Sequence, residues 1–209
     1  MTHLPDWSTV SPERLVSLCD RRSMRIITGS YKGRSLESLN DRSIRPVTDR
    51  VKTTIYDMLQ NRLRLTGAAV LDLYAGSGSL GFEALSRGAR HVVFVDDAGD
   101  ALDIIERNAA ALGCLDNCAI IQSDSLSYIA KTRENYDLIF ADPPYAYGMT
   151  GEIPAQIFQK NILTDHGYLI IEHTKNLIFK PDGHFRVTAT KEFGTTHVSF
   201  FTHLRKEES

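Results

Sequence analysis

The sequence lacks the features that would place the protein in a membrane, in a disulfide framework or around a zinc ion. No apolar run approaches the roughly 20 residues of a membrane-spanning helix. The start, MTHLPDWSTVSPERL, lacks the charged-then-apolar order of a secretory signal. There are three cysteines, and Cys114 and Cys118 have no second pair with which to complete a zinc site. We therefore expect a cytoplasmic protein without a metal ion or a membrane contact.

The chain is long enough to bury one sizeable core but too short for two ordinary catalytic domains. It has 209 residues, of which 42% are hydrophobic, and it contains neither an internal repeat nor a low-complexity tract. We therefore expect one main domain with a small appendage.

The formal net charge of −2 conceals an uneven distribution along the chain. Residues 21–52 include nine basic residues, seven of them arginines, against three acidic ones. A basic cluster can bind phosphates, because each neutralised phosphate releases condensed counterions, and the planar fork of arginine suits phosphate. A solvated surface has the same composition. The cluster alone leaves both interpretations open.

Short apolar runs alternate with helix-like stretches along most of the chain. The runs are rich in β-branched residues and show no period-two alternation, which is typical of strands buried on both faces of a parallel sheet. They cover residues 69–73, 92–95, 119–121, 138–141 and 168–171. Two predicted helices, 79–87 and 100–112, each end just before a glycine, Gly88 or Gly113, in the position of a left-handed C-cap. The pattern predicts repeated β-α units.

The last two predicted strands, residues 185–191 and 196–203, break this pattern. Only a few residues around Gly194 separate them, and a connection that short can make only an antiparallel hairpin. Dinucleotide-binding domains of the six-stranded kind stay parallel. An open α/β sheet with an antiparallel last pair resembles the class I S-adenosylmethionine-dependent methyltransferases.

A glycine loop, LDLYAGSGSLG at residues 71–81, follows the first predicted strand. Gly76, Gly78 and Gly81 satisfy the G-x-G-x-x-G pattern of a dinucleotide site, although a tight strand-to-helix turn without a ligand has the same residues. Asp72 precedes the glycines, where a carboxylate would repel a pyrophosphate but attract the ammonium group of a methionine. We therefore favour S-adenosylmethionine over NAD, with the glycines allowing close approach of the methionine and ribose portions.

Acidic residues also follow the second and third predicted strands. Asp96 lies 20 residues beyond Gly76, where a carboxylate can accept hydrogen bonds from both ribose hydroxyls. Asp124 could accept from the exocyclic amine of adenine. Asp124 or Ser125 could equally be the N-cap of a helix over residues 126–131.

The segment IFADPPY, residues 139–145, follows the fourth predicted strand. Two consecutive prolines donate no backbone hydrogen bonds, so the chain leaves the sheet in a stiff shape with free acceptors. The Asp142 carboxylate and the backbone carbonyls can accept the protons of an exocyclic amine, and Tyr145 can stack on a planar base. The segment therefore predicts methylation of an amine on a planar ring system, rather than a structural turn alone.

Asp-Pro-Pro-Tyr resembles the signature of amino-methyltransferases that act on adenine N6, cytosine N4, guanine N2 or a glutamine amide. Two further blocks, RIITGSYKGRSL at residues 25–36 and RPVTDRVK at residues 45–52, narrow the resemblance. Together with LDLYAGSGSLGFEALSRGA they are similar to the RsmD family, which methylates N2 of a guanine in small-subunit ribosomal RNA. The resemblance covers residues 24–203.

The resemblance implies a class I methyltransferase fold, which is α/β and Rossmann-like. Its seven-stranded sheet is mostly parallel with an antiparallel last strand, and a small N-terminal β-hairpin is added. It implies an N-terminal extension over residues 1–23, a basic element over 24–66 that binds RNA and closes over the cofactor, and a methyltransferase domain over 67–209. It also implies S-adenosylmethionine as the methyl donor and ribosomal RNA, in an assembled small subunit or its precursor, as the substrate. We expect a monomer.

Matching positions imply roles for individual residues. The cofactor residues are Asp72, Gly76 and Gly78 at the methionine end, Asp96 at the ribose, Asp124 at the adenine, and Thr48 in a segment that closes over the ligand. The catalytic residues are Asp142, Pro143 and Tyr145. The substrate-binding residues are Pro144, Arg25, Lys32, Arg34, Arg45 and Arg50.

Two other classes of function share part of this pattern. A DNA or other RNA amino-methyltransferase, acting on adenine N6 or cytosine N4, would share residues 142–145. DNA enzymes of this kind usually need a target-recognition insertion, for which 209 residues leave little room. A non-catalytic RNA-binding scaffold would explain the basic segment, but not an acid-glycine loop combined with Asp-Pro-Pro-Tyr.

Overall fold

The computed structural model describes residues 24–38, 49–144, 146–180 and 183–204. Its strands are β1 (Met24–Arg25), β2 (Ser35–Leu36), β3 (Ala69–Leu73), β4 (His91–Asp96), β5 (Cys118–Gln122), β6 (Tyr136–Ala141), β7 (Leu163–Thr174), β8 (Phe185–Phe193) and β9 (Thr196–His203). Its α-helices are α1 (Asp49–Gln60), α2 (Ser79–Ser86), α3 (Gly99–Leu112), α4 (Ser125–Lys131) and α5 (Ile153–Lys160). Short 3-10 helices cover Leu115–Asn117 and Thr150–Glu152.

Seven of the described strands form one sheet in the order β5-β4-β3-β6-β7-β9-β8. Neighbours from β5 to β7 pair in parallel, whereas β9 pairs antiparallel with both β7 and β8. β1 and β2 form a separate antiparallel hairpin. The predicted α/β sheet, its antiparallel last pair and the N-terminal β-hairpin are therefore confirmed.

The parallel strands bring the predicted site segments to one edge of the sheet. Parallel strands end at the same edge, and β3 pairs with β4 on one side and β6 on the other. The chain order reverses between β3 and β6, and such a reversal is the usual position of a ligand crevice in an open α/β sheet. The segments after β3, β4, β5 and β6 all lie along this carboxyl edge.

Two cores cover the two faces of the sheet. Successive residues of a strand point to opposite faces, so Val70 and Phe140 belong to one core while Leu71 and Ile139 belong to the other. All four are fully buried. Burial on both faces explains why the sequence shows continuous apolar runs. Ile26 of the N-terminal hairpin packs in the first core and so joins the hairpin to the sheet domain.

A buried carboxylate holds the N-terminal hairpin against α2. Glu83 is fully buried and accepts hydrogen bonds from the backbone N–H of Ile27 at 2.7 Å and of Thr28 at 3.0 Å. It also accepts from Arg87 Nε at 2.8 Å. These donors compensate the buried charge and fix the hairpin to the helix that follows the glycine loop.

The turn of the hairpin makes a second contact with α2. Ser86 Oγ accepts from Tyr31 N at 2.9 Å and donates to Thr28 O at 2.5 Å, and Ser30 N donates to Ser86 O at 2.8 Å. Gly29 has a φ of +90°, and a Cβ there would lie 1.8 Å from Ser86 O. Glycine is therefore required at this position, because both the backbone conformation and the close approach exclude a side chain.

The predicted element boundaries agree with the structure within two residues, except in β7. Gly113 has a φ of +72° and is the predicted left-handed C-cap of α3. β7 begins at Leu163, before the predicted start at Tyr168, because its first part includes exposed Asp165 and His166 and shows no apolar run. None of the described helices combines the length and the apolar character that crossing a membrane requires.

Candidate active site at the carboxyl edge of the sheet

The three glycines of the loop after β3 have two different roles. A Cβ on Gly78 would lie 2.6 Å from the ring of Phe82, and a Cβ on Gly81 would lie 2.3 Å from the ring of Phe94. Both glycines therefore serve the packing of α2 on the sheet. Gly76 also has a positive φ, of +55°, but among the described residues no atom lies within 4 Å of a Cβ built there. The backbone at Gly76 is thus open to a ligand.

Asp72 lies in β3, beneath the loop. It is buried, and its Oδ2 accepts a hydrogen bond from Gly81 N at 2.9 Å, which fixes the start of α2. Burial raises the pKa of Asp72 to about 8, against the opposing effect of the Gly81 hydrogen bond, and the charge of Asp96 contributes to the rise. A nearby cation favours the ionised form of such a carboxyl group. The contact of Asp72 with a positively charged ligand group stays a prediction.

Asp96, at the end of β4, is joined directly to the glycine loop. Its Oδ2 accepts from Gly76 N at 2.8 Å and its Oδ1 accepts from Ala98 N at 3.0 Å. Each carboxylate oxygen can accept a second hydrogen bond. The side chain is half-buried, so it is held in one orientation while it keeps acceptor capacity for a pair of hydroxyl groups.

Asp124, after β5, is the N-cap of α4. Its Oδ1 accepts from Ser127 N at 2.8 Å. The N-cap interpretation of this residue is therefore confirmed. The residue is exposed at the carboxyl edge, so its contact with adenine stays a prediction.

The Asp142-Pro143-Pro144 segment, after β6, is anchored to the end of β3. Asp142 N donates to Leu73 O at 3.5 Å, which places this segment beside the glycine loop. Pro143 is buried and Pro144 is exposed. Burial raises the pKa of Asp142 well above its ordinary value, and the charges of Glu172 and then Asp72 raise it further. A raised pKa favours the protonated form of this carboxyl group, and its catalytic role stays a prediction.

A cavity of about 190 Å³ opens beside this segment. It is lined by both prolines, by Tyr147 from the following loop and by Glu172 from β7. The ring of Tyr147 meets Tyr74 edge to face at 5.4 Å between centroids. The cavity therefore combines proline and aromatic surfaces with a carboxylate, which suits a planar base with exocyclic donors.

The basic residues of the N-terminal element divide into exposed and engaged groups. Lys32 and Arg50 are exposed. Arg25 forms an exposed ion pair with Asp49 at 2.9 Å, and Arg34 Nη2 donates to a backbone carbonyl of α3 at 2.5 Å. Arg25, Lys32 and Arg34 belong to residues 24–38 and Arg50 to the start of α1, here together called the basic region, and their contacts with RNA stay predictions.

Lys52, one of the nine basic residues in residues 21–52, does not belong to an exposed basic surface. The side chain is fully buried, and its Nζ donates to Arg25 O at 2.6 Å and to Ser79 Oγ at 3.0 Å. Burial lowers the pKa of Lys52. The residue ties the hairpin, α1 and α2 together and is not available to a phosphate.

Three of the predicted site residues lie outside the described part of the chain. They are Arg45 and Thr48, before α1, and Tyr145, the last residue of Asp-Pro-Pro-Tyr. The extension over residues 1–23 also lies outside it. Their roles stay predictions.

Comparison with known proteins identifies the family. Residues 24–202 match the family described as "Conserved hypothetical protein 95". The chain is 33% identical over 156 residues to ribosomal RNA small subunit methyltransferase D of Haemophilus influenzae, and the match covers 73% of this chain and 80% of that protein. The chain belongs to the RsmD family. It is also 34% identical over 182 residues to YlbH of Bacillus subtilis, covering 85% of this chain and 98% of that protein.

Solved structures agree with the RsmD-family assignment. The structure of the Escherichia coli protein yhhF is similar with a TM-score of 0.76 and 27% identity, covering 87% of this chain and 98% of that one. The predicted class I methyltransferase fold and the predicted family are therefore confirmed.

Two residues of the site were not identified from the RsmD-family motifs, namely Tyr147 and Glu172. Glu172 directly follows the apolar run 168–171, as Asp96 and Asp142 directly follow theirs, so an acid after a buried strand was the available signal. Tyr147 lies two residues beyond Asp-Pro-Pro-Tyr in an irregular loop and gives no such signal.

Proposed function

We propose that the protein transfers the methyl group of S-adenosylmethionine to the N2 amine of a guanine in small-subunit ribosomal RNA, within the assembled subunit. One observation carries the proposal: the parallel pairing of β3 with β6, up to Leu73 opposite Ala141, brings residues 142–144, here called the amine-binding segment, next to the glycine loop. The ribosomal RNA methyltransferase name of the Haemophilus influenzae relative supports the class of substrate.

The residues at the carboxyl edge fit S-adenosylmethionine. The open backbone at Gly76 admits the ligand, Asp72 suits the cationic methionine end, and the oriented carboxylate of Asp96 suits the two ribose hydroxyls. Asp124 keeps an exposed position where it can accept from the adenine amine. The bound cofactor supplies a methyl group on a sulfonium, which is already activated for attack by nitrogen.

The residues of the chain then have to orient and activate a poor nucleophile, because the lone pair of guanine N2 is delocalised into the ring. The Asp142 carboxyl group and the Pro143 carbonyl accept hydrogen bonds from the two amine N–H groups, favour a pyramidal nitrogen and stabilise its developing positive charge. After the methyl group is transferred, the amine releases one proton to Asp142 or to water. The cavity walls hold the base plane, so that nitrogen meets the methyl group in line. A base in folded RNA must first leave its stack, at a cost of roughly a few kcal/mol.

Replacing Asp96 by alanine is expected to weaken S-adenosylmethionine binding by at least about 10-fold, because each charge-assisted hydrogen bond to a ribose hydroxyl contributes about 1.5–3 kcal/mol. Isothermal titration calorimetry measures the affinity. The adjacent Asp97 is exposed, so Asp97→Ala is the matched control and should bind like the wild type. Equal affinities for the Asp96 and Asp97 variants would remove Asp96 from the cofactor site.

We further propose that residues 24–66 bind RNA through the exposed cations. Replacing Lys32 and Arg50 together by alanine should flatten the salt dependence of RNA binding by about 0.7–0.9 of a log unit for each phosphate that is no longer neutralised. Cofactor affinity should not change. Lys160→Ala, an exposed cation at the end of α5, is the control. If the double variant keeps the wild-type slope, the basic region is a solvated surface.

The proposed reaction is tested with labelled S-adenosylmethionine and four substrates: unmodified small subunits, naked ribosomal RNA, large subunits and DNA. Nucleoside analysis of the labelled product should yield N2-methylguanosine from small subunits. If the label appears in N6-methyladenosine or N4-methylcytidine, the target is adenine N6 or cytosine N4 and not guanine N2. If the label appears only in DNA, RNA is not the substrate.

A further inference from the structure

We propose that Glu172 determines the choice of base in this site, by accepting the N1–H of guanine while Asp142 accepts a proton of the N2 amine. The inference rests on the proposed function and deepens it, because it names the group that separates guanine from adenine and cytosine.

The sheet places the two acids side by side. β6 and β7 pair in parallel, with Phe140 opposite Ile170 and Ala141 opposite Ile171. Asp142 and Glu172 are the next residues of the two segments at the carboxyl edge. Glu172 lines the cavity together with both prolines of the amine-binding segment. Asp142 is not among the lining residues of this cavity, but it adjoins the cavity through Pro143. In the proposed arrangement, a base whose amine binds Asp142 presents the adjacent edge of its ring to Glu172.

The described residues that line the cavity give it an acidic character. Apart from Glu172 and His173 they are neutral. Both ring nitrogens of His173 are engaged, Nδ1 with Thr174 O at 2.9 Å and Nε2 with Ser199 Oγ at 2.8 Å, and burial lowers the pKa of this histidine, which favours its uncharged form. The cavity wall therefore favours a ligand edge that presents hydrogen-bond donors over one that presents lone pairs.

Guanine is the base whose edge offers two adjacent donors, N1–H beside the N2 amine. In adenine and cytosine, the ring nitrogen beside the exocyclic amine carries a lone pair instead of a hydrogen. A carboxylate at that point attracts guanine and repels the other two bases, so one residue supplies both the favourable contact and the unfavourable one. A site that binds a hydrogen-bond donor of its substrate discriminates strongly against analogues without that donor. An apolar pocket discriminates between similar ligands much less.

The test replaces the target guanine with 2-aminopurine, which keeps the amine but lacks N1–H, in small subunits reconstituted with the substituted RNA. Wild-type kcat/KM should favour guanine strongly. Glu172→Gln should lower kcat/KM for guanine by about 10-fold or more, because the charge-assisted hydrogen bond to N1–H becomes a neutral one, which is roughly half as strong. It should lower the value for 2-aminopurine far less, since the amide can donate to the unprotonated N1. The preference for guanine should therefore fall by at least about 10-fold.

Glu152→Gln is the matched control, because Glu152 is exposed in the 3-10 helix beside the cavity and does not line it. This variant should keep the wild-type preference. Thermal unfolding and S-adenosylmethionine affinity check that Glu172→Gln is folded. If it is not, Glu172→Asp takes its place, since the shortened carboxylate should also lower activity on guanine more than on 2-aminopurine.

The outcomes separate the inference from the proposed function. A wild-type protein that methylates no guanine N2 overturns the proposed function and this inference with it. A wild-type protein that does so, with a folded Glu172 variant that keeps the full preference for guanine over 2-aminopurine, overturns the role of Glu172 alone.

Discussion

Asp142→Ala is expected to slow methyl transfer by about 10²–10⁴-fold, the range for loss of one positioned acid-base group. The substitution removes the acceptor that binds the amine. Single-turnover assays at saturating cofactor and substrate measure this step without contributions from binding. Cofactor affinity should barely change, because the assigned cofactor contacts belong to the loop after β3 and to the ends of β4 and β5.

Asp142→Asn is the matched variant, because it keeps an acceptor oxygen of the same shape without the negative charge. We expect it to be more active than the alanine variant, since orientation of the amine contributes more than basicity. The anchoring hydrogen bond to Leu73 O comes from the backbone and persists in both variants. If Asp142→Ala transfers the methyl group at the wild-type rate, Asp142 is not a catalytic residue.

Glu83→Ala is expected to destabilise the protein by about 3–5 kcal/mol, the usual effect of removing one partner from a buried ion pair. The change leaves the Arg87 guanidinium, whose side chain is 14% exposed, without its carboxylate. It also removes the acceptor of the Ile27 and Thr28 backbone N–H groups. Chemical denaturation followed by circular dichroism measures the free energy of unfolding.

Glu37→Ala provides the control for this prediction. Glu37 also forms an ion pair between the hairpin region and a helix, with Arg107 at 2.8 Å, but both side chains are more than half exposed. Solvent screens such a pair, so this variant should unfold close to the wild type. Equal stability of the two variants would show that the buried pair does not hold the hairpin.

Much of the fold could be predicted because its signals are local. Continuous apolar runs reflect strands buried on both faces, Gly113 marks a helix end, and the short connection at Gly194 requires a hairpin. The polar first part of β7 escaped prediction because tertiary pairing with Tyr136, rather than an apolar pattern, makes it a strand.

The sequence predicted those parts of the site whose motifs lie at the end of a strand. The acid-glycine loop and Asp142-Pro143-Pro144 were identified in this way, and their juxtaposition follows from the parallel sheet. The different roles of the glycines could not be read from the pattern, because they depend on Phe82 and Phe94. Phe94 lies in β4, a strand outside the loop and its helix, so its contact with Gly81 depends on the tertiary structure.

The sequence by itself determined the apolar parts of the strands, the helix ends, the family and the chemistry of its motifs, because each depends on neighbouring residues or on a short contiguous signature. Only the tertiary structure decided that Lys52 is buried, that Glu83 holds a hairpin 55 residues earlier in the chain, and that Glu172 lies beside the amine-binding segment. These contacts join residues far apart in the chain. These contacts arise from the order of strands in the sheet and from the packing of the hairpin on α2. Neither feature can be predicted from a local sequence pattern.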